Sequence, residues 1–173
     1  MRASAVRSRI PFRAVNVRGE PGHDPALQRH HLLPRQLLSR RCFGTLFDQI
    51  GSDAVGFNDF RANGLLLPAR EEAAIRMGMP LHRGPHSHYN EMVIERVGTI
   101  ERGWSASRPI KHEAALGEAL MRLSLLQCAL RRRLLSSAGN RFALNRRDPL
   151  AVSLDFTDLD AMADALWGET QNI

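Results

Sequence analysis

Gln28-Arg29-His30-His31-Leu32-Leu33-Pro34 and Leu81-His82-Arg83-Gly84-Pro85-His86-Ser87-His88-Tyr89-Asn90 hold five of the seven histidines in a chain of 173 residues. Neutral imidazole is a favoured ligand of zinc, nickel and other borderline divalent ions, and a mononuclear catalytic site takes about three protein ligands while leaving positions for water or substrate. The two groups can supply such a set. Leu27 to Leu33 reads as a strand closed by Pro34, and successive side chains of a strand leave on opposite faces. His30 and His31 therefore have different surroundings, so that one can bind a metal while its neighbour does something else. A metal-free imidazole, with an unperturbed pKa of about 6.5, is suited to take a proton from water near neutral pH. Phosphodiester hydrolysis needs both parts: a base for the water and a cation for charge developing on the phosphate.

The remaining histidines, His23 and His112, read as ordinary surface or core residues, since nothing around them suggests a site. Cys42 and Cys128 lie far apart with no CxxC pair. A thiolate zinc site and a disulfide scaffold are thereby excluded, and both cysteines are expected as small buried hydrophobes.

Outward from the histidines, the pattern is of short strands among helices. Arg35 to Ile50 places Leu37, Leu38, Cys42, Leu46, Phe47 and Ile50 at helical spacing. Gly51 to Asn63 reads as a loop, Gly64 to Leu67 as a buried strand ended by Pro68, and Ala69 to Met77 as one or two helical turns. Pro85 suits the first turn of a helix running to about residue 100, with Tyr89, Val93, Ile94 and Val97 on one face. A long helix is expected from about Ile110 to Ser137, carrying a leucine seam at 116, 120, 123, 130 and 134 that is broken only by Gln127. That seam is expected to pack on the protein's own core, with homodimerisation through the 110–137 helix left open. Gly139-Asn140 ends it, and Thr157 with Asp158 could cap a last short helix through Trp167. Residues 1–26, rich in arginine, proline and glycine, read as a basic arm rather than a packed element, with Arg13 to Arg18 as a candidate short strand.

Composition excludes several classes of protein. With 43% hydrophobic and 24% charged residues the chain is neither disordered nor low in complexity. No apolar run approaches the roughly 18 residues that cross a membrane, and the start lacks the apolar stretch of a secretory signal, so a cytoplasmic location is expected. Of the 24 basic residues, 23 are arginine, and the formal net charge is +6. Residues 1–41 carry +7 and residues 148–173 carry −6. The basic front suggests a polyanion such as nucleic acid, for which the planar guanidinium is suited; solubility and the codon bias of a GC-rich genome give a blander account. The acidic tail reads as a solvated segment, with a cover over the basic cleft as the alternative.

Three motifs, in order, resemble the AHH nucleases of the His-Me finger (HNH-like, ββα-metal) endonuclease superfamily. Gln28 to Pro34 is similar to the family's paired-histidine motif, Gly56-Phe57 and Asn63 to Pro68 to its central asparagine strand, and Leu81 to Asn90 to its closing histidine helix. Arg29 stands where the family has alanine. The resemblance covers residues 27–97. It implies an α+β fold, a ββα-metal finger core (27–100) embedded in a mainly helical domain whose C-terminal helices (101–173) extend it.

The resemblance also implies roles. His30, His82 and His86 would bind one divalent ion, with magnesium, manganese, zinc and nickel all compatible, and His31 would be the general base. Asn63 would brace the finger and hold that base in orientation. Because Pro85 lies between them, His82 and His86 cannot be mid-helix residues one turn apart: His82 falls before the helix and His86 in its first turn. His88, Tyr89 and Asn90 are reserves. Arg83, Arg29 and Arg35, with Arg40, Arg41, Arg70 and Arg76 further off, are the nearest guanidiniums for phosphate. The implied activity is metal-dependent endonucleolytic hydrolysis, DNA being favoured over RNA. His31 would deprotonate water for in-line attack, leaving a 5′-phosphate, with little sequence specificity because backbone contacts dominate. Two alternatives stand beside it. One is a non-catalytic histidine-zinc module that binds nucleic acid. The other is the same nuclease as an antibacterial toxin, exported by a non-classical bacterial system and partnered by an immunity protein, although many relatives of that kind are tips of long secreted proteins and this chain begins with its own methionine.

Overall fold

The computed structural model describes residues 8–136, 142–145 and 147–149. Its elements in chain order are β1 (Leu27–His31), α1 (Arg41–Ile50), α2 (Ser52–Val55), α3 (Phe60–Asn63), β2 (Gly64–Pro68), α4 (Glu71–Met77), α5 (Ser87–Ser107) and α6 (His112–Leu134). Short 3-10 turns at Phe12–Ala14 and Arg35–Ser39 complete them. The fold is α+β.

β1 and β2 pair antiparallel, with Leu27 opposite Pro68, His30 opposite Leu65 and His31 opposite Gly64. Prolines bound the ribbon at its two ends, Pro34 beyond the His31–Gly64 pair and Pro68 in the Leu27–Pro68 pair, where a missing N–H costs no ladder bond. Around it lies one cluster of buried side chains reaching from Leu32 and Leu33 through Leu46, Phe47, Val93, Val97 and Leu123 to Leu144. Each fully buried leucine or valine contributes about 1.5–3 kcal/mol, so this cluster is what fixes the small ribbon in place. α5 packs along α6. The leucine seam is spent inside the chain: Leu123, Leu130 and Leu134 are buried, and Leu116 and Leu120 are half-buried. No helix among the described residues is long and apolar enough to cross a membrane.

Several sequence expectations are corrected. Residues 35–50 are not one helix: a 3-10 turn is followed by a break at Arg40, whose backbone is extended (φ −82°, ψ 119°), and only then by α1. A 3-10 turn winds at three residues per turn, so it shifts the phase of everything after it. Leu38 and Cys42 consequently face water, and Phe43 takes the inward position. Cys128 is also exposed, between the buried Gln127 and Ala129. The 51–63 segment is not a plain loop but holds α2 and α3. α5 begins at Ser87 with His86 as its N-cap, so Pro85 precedes the helix, and the helix continues past residue 100 to Ser107. α4 ends as its sequence suggests: Gly78 adopts φ +62°, and its N–H donates back into the helix, a left-handed cap that glycine enters without steric cost.

The N-terminal segment is tied to the rest of the fold at residues 10–12, while residues 18–22 are exposed. Ile10 N–H donates to Asp59 Oδ1, Phe60 N–H donates to the Ile10 carbonyl at 2.7 Å, and Phe12 is buried. Arg13 to Arg18 forms no strand. It turns instead at Asn16 (φ +50°), whose amide donates to the carbonyls of Asp24 and Leu27 and accepts from Asp24 N–H. The ends expected at Gly139-Asn140 and Thr157 to Trp167, and most of the acidic tail, lie outside the described residues.

Candidate active site

Strand alternation divides β1 into two faces. Gln28 and His30 point one way, Arg29 and His31 the other. On the first face His30 is 3% exposed and meets His82, His86 and Tyr89 at ring-centroid distances of 4.9, 5.7 and 5.0 Å. His82 and His86 are themselves 4.4 Å apart. His82 reaches this place because its backbone N–H donates to the Pro68 carbonyl at the end of β2. His86 does so as the N-cap of α5.

The three histidines each bring one ring nitrogen to within 4.8 Å of the others. His30 Nε2 is buried without a hydrogen-bond partner, an arrangement that costs about 1–3 kcal/mol unless something else binds it. His82 Nδ1 lies 3.2 Å from Gln28 Oε1, and His86 Nδ1 lies 3.0 Å from the Leu144 carbonyl oxygen. Such oxygens only accept, so both Nδ1 atoms carry the proton and Nε2 of each is left as the donor to an ion. A ligand histidine bonded through its other nitrogen in this way is the usual companion of a bound divalent metal. Burial first, then the neighbouring imidazoles, holds His30 well below the ordinary histidine pKa, and the same causes bring His82 down to about 4. Neutral rings are what a metal requires.

On the opposite face, the His31 ring lies on Phe12, with centroids 3.7 Å apart and planes 1° from parallel. Phe12 in turn meets Phe60 edge-on at 5.1 Å. Arg29 Nη1 donates to the Phe12 carbonyl at 2.7 Å, fastening the N-terminal segment over β1. Burial, then the positive charges of Arg35 and Arg29, pulls the His31 pKa down to about 4.

Asn63 sits at the end of α3, one residue before β2, and is fully buried. Its Oδ1 accepts from Leu33 N–H at 2.7 Å, its Nδ2 donates to the carbonyls of Leu33 and Phe57, and its own carbonyl accepts from Leu32 N–H. One asparagine thus clamps the two residues that follow His31. Gln127 Nε2 donates to the same Oδ1 and to the Val55 carbonyl. One turn further along α6, Arg131 Nη2 donates to the carbonyls of Arg61 and Ala62. The buried Tyr89 donates its hydroxyl to the Leu32 carbonyl at 2.8 Å, and burial raises its pKa.

The residues singled out in the sequence therefore fall into separate places. His30, His82 and His86 come together; His31 and Asn63 flank them through β1; Tyr89 packs beneath. Arg29, Arg35 and Arg83 are exposed around the site, His88 is exposed on the first turn of α5 outside the cluster, and Asn90 is half-buried behind it. Four contributors escaped the sequence reading. Gln28 carried a period-two signal with His30, and Gln127 was the one polar break in the leucine seam. Phe12, in an arginine- and proline-rich stretch, and the Leu144 carbonyl carried none.

A sequence model of the AHH family, described as a nuclease family of the HNH/ENDO VII superfamily with conserved AHH, matches residues 12–120. The chain belongs to the AHH nuclease family. Within the matched residues the adjacent histidines are His30-His31, preceded by Arg29. The AHH match begins at Phe12, beneath His31, and takes in all three clustered histidines and Asn63. It ends before Gln127 and Leu144. Comparisons with curated proteins and with solved structures return no match.

Proposed function

We propose that the protein is a metal-dependent endonuclease that hydrolyses phosphodiester bonds, DNA in preference to RNA and with little sequence specificity. One divalent ion would be held by His30, His82 and His86 through Nε2. The observation that carries this reading is the division of the adjacent pair: His30 in a buried cluster of three imidazoles with an unpartnered Nε2, His31 on the other face outside it. A bound ion would supply charge neutralisation at the phosphate and the leaving oxygen.

The chain's own residues account for the rest. His31 is neutral at pH 7 and free to accept a proton from the attacking water. Burial is the main cause of the depressed His31 pKa; a phosphate lying against Arg35 and Arg29 would offset the lesser part that comes from their two charges, and to that extent make His31 a stronger base. Arg83, exposed beside the ligands on the 81–86 loop, would hold a flanking phosphate. Asn63 keeps the end of β1 at a fixed distance from β2 and so orients His31.

The test is plasmid nicking by the purified protein with magnesium, manganese, zinc or nickel, beside His31→Ala. Cleavage that stops with chelator, and stops in His31→Ala while metal content is retained, is the expected result. A folded, metal-loaded protein that cuts nothing in any metal would sink the nuclease and leave a histidine-metal binding module.

A further inference from the structure

The segment that closes over the metal-ligand loop comes from beyond the part of the chain that the family match covers. Residues 142–145 and 147–149 reach the 81–89 stretch at four points. The Leu144 carbonyl accepts from His86 Nδ1 at 3.0 Å. Asp148 Oδ2 accepts from Leu81 N–H at 3.1 Å. Asn145 Nδ2 donates to the Arg83 carbonyl, and Phe142 meets Tyr89 edge-on at 6.0 Å. Phe142, Leu144 and Asp148 are all buried, so these contacts form part of the packed interior. The turn holding them is internally fixed as well: Arg147 N–H donates to Asn145 Oδ1, and Asp148 N–H donates to the Asn145 carbonyl.

The loop they grip needs such support. It runs from Leu81 to the N-cap of α5 through Gly84 at φ +82° and Pro85, outside any helix or strand. A glycine-proline loop by itself samples many conformations, and each costs affinity when two of its residues must be ligands. Of the two loop histidines, His82 is steadied by Gln28 on β1, whereas His86 is steadied by the C-terminal segment.

We infer that residues 142–145 together with Arg147 and Asp148 form a clasp that sets the metal affinity of the site, the Leu144 carbonyl holding His86 with its proton on Nδ1 and its Nε2 turned to the ion. Leu144 and Asn145 are positioning residues in this device. Asp148 pins the start of the loop and Asn145 its middle. The inference rests on the metal reading of His30, His82 and His86.

Calorimetric titration of the metal-free 173-residue chain with zinc or manganese tests it, comparing the unaltered chain with Asn145→Ala, Asp148→Ala and the double variant. Loss of a group that orients a ligand histidine weakens metal binding by about tenfold to a hundredfold, and that is the loss expected of the double variant, at unchanged stoichiometry. Thermal melts of the metal-free forms show which variants remain folded. Nitrogen NMR of histidine-labelled unaltered protein gives a second reading that needs no variant: His86 is expected with its proton on Nδ1 before metal is added and with Nε2 as the nitrogen that shifts on adding it. Unaltered protein that binds metal and cuts DNA while the folded double variant binds as tightly would overturn the clasp alone. A His86 proton found on Nε2 would also overturn it. Failure of the unaltered chain to bind any metal would overturn the metal centre and the clasp with it.

Discussion

The imidazole of His31 lies flat on the phenyl ring of Phe12, 3.7 Å between centroids and 1° from parallel. Nothing in the local sequence joins them; the contact exists because Phe60 N–H and Asp59 Oδ1 tie down Ile10 and because Arg29 holds the Phe12 carbonyl. A stacked ring fixes the plane of the imidazole without using either nitrogen, so both stay free for proton transfer and for a water.

Phe12→Leu keeps an apolar side chain but removes the flat surface. Turnover is expected to fall by between roughly tenfold and a hundredfold with substrate KM and metal affinity nearly unchanged, since a misoriented base costs rate rather than binding. Phe12→Tyr should recover most of it. Nicking rates at saturating metal decide the point, and equal rates for Phe12→Leu and the unaltered protein would remove Phe12 from the site.

Gln127→Leu completes the leucine seam of α6, and a heptad argument alone expects it to stabilise. The structure expects the opposite, because Asn63 Oδ1 and the Val55 carbonyl each lose a buried donor. A cost of about 1–3 kcal/mol follows from leaving such groups short of a partner. Urea unfolding reads it directly, and a raised midpoint would contradict the account.

Gly64 faces His31 across the ribbon, and a methyl group there would lie within the ring of Phe60. Gly64→Ala must therefore displace Phe60, which meets Phe12 edge-on, and so disturb the surface on which His31 rests. Expected are a destabilisation of about 1–3 kcal/mol and a loss of nicking larger than the loss of metal binding. Metal affinity and cleavage rate measured on the same preparation separate the two.

Acid should weaken the metal-free fold. His30, His31 and His82 have native pKa values below the ordinary 6.5, two of them at about 4, so the unfolded chain binds protons that the native chain refuses. Their contribution is fully present above about pH 6.5 and is lost as pH falls toward about 4. Urea midpoints for the chelator-treated protein should drop steadily across that window. A midpoint that stays level through it would show that the three rings are not held neutral by the fold.

The short-range patterns were legible. Alternation in β1 separated His30 from His31, Pro34 and Pro68 marked the ends of the ribbon, and Pro85 kept His82 outside the helix that His86 caps. Phase was less so. The 3-10 turn at Arg35–Ser39 rotated Cys42 outward and Phe43 inward, a change invisible to any count that assumes 3.6 residues per turn throughout. Asn63-Gly64 by itself has the look of a simple turn, and only the fold makes Asn63 a clamp on Leu32 and Leu33.

By itself, the amino-acid sequence determined which residues could carry the chemistry: two histidine groups, an asparagine between them, and a strand period that gives adjacent imidazoles different surroundings. Those properties are local, set by residue type and by the fixed geometry of one strand. The tertiary structure alone decided what orients them. Phe12 lies beneath His31, Gln127 reaches Asn63 from a helix 64 residues away along the chain, and Leu144 offers His86 a backbone carbonyl that is the same in every residue. Such partners are chosen by how the core packs, and main-chain groups leave no mark in the sequence that supplies them.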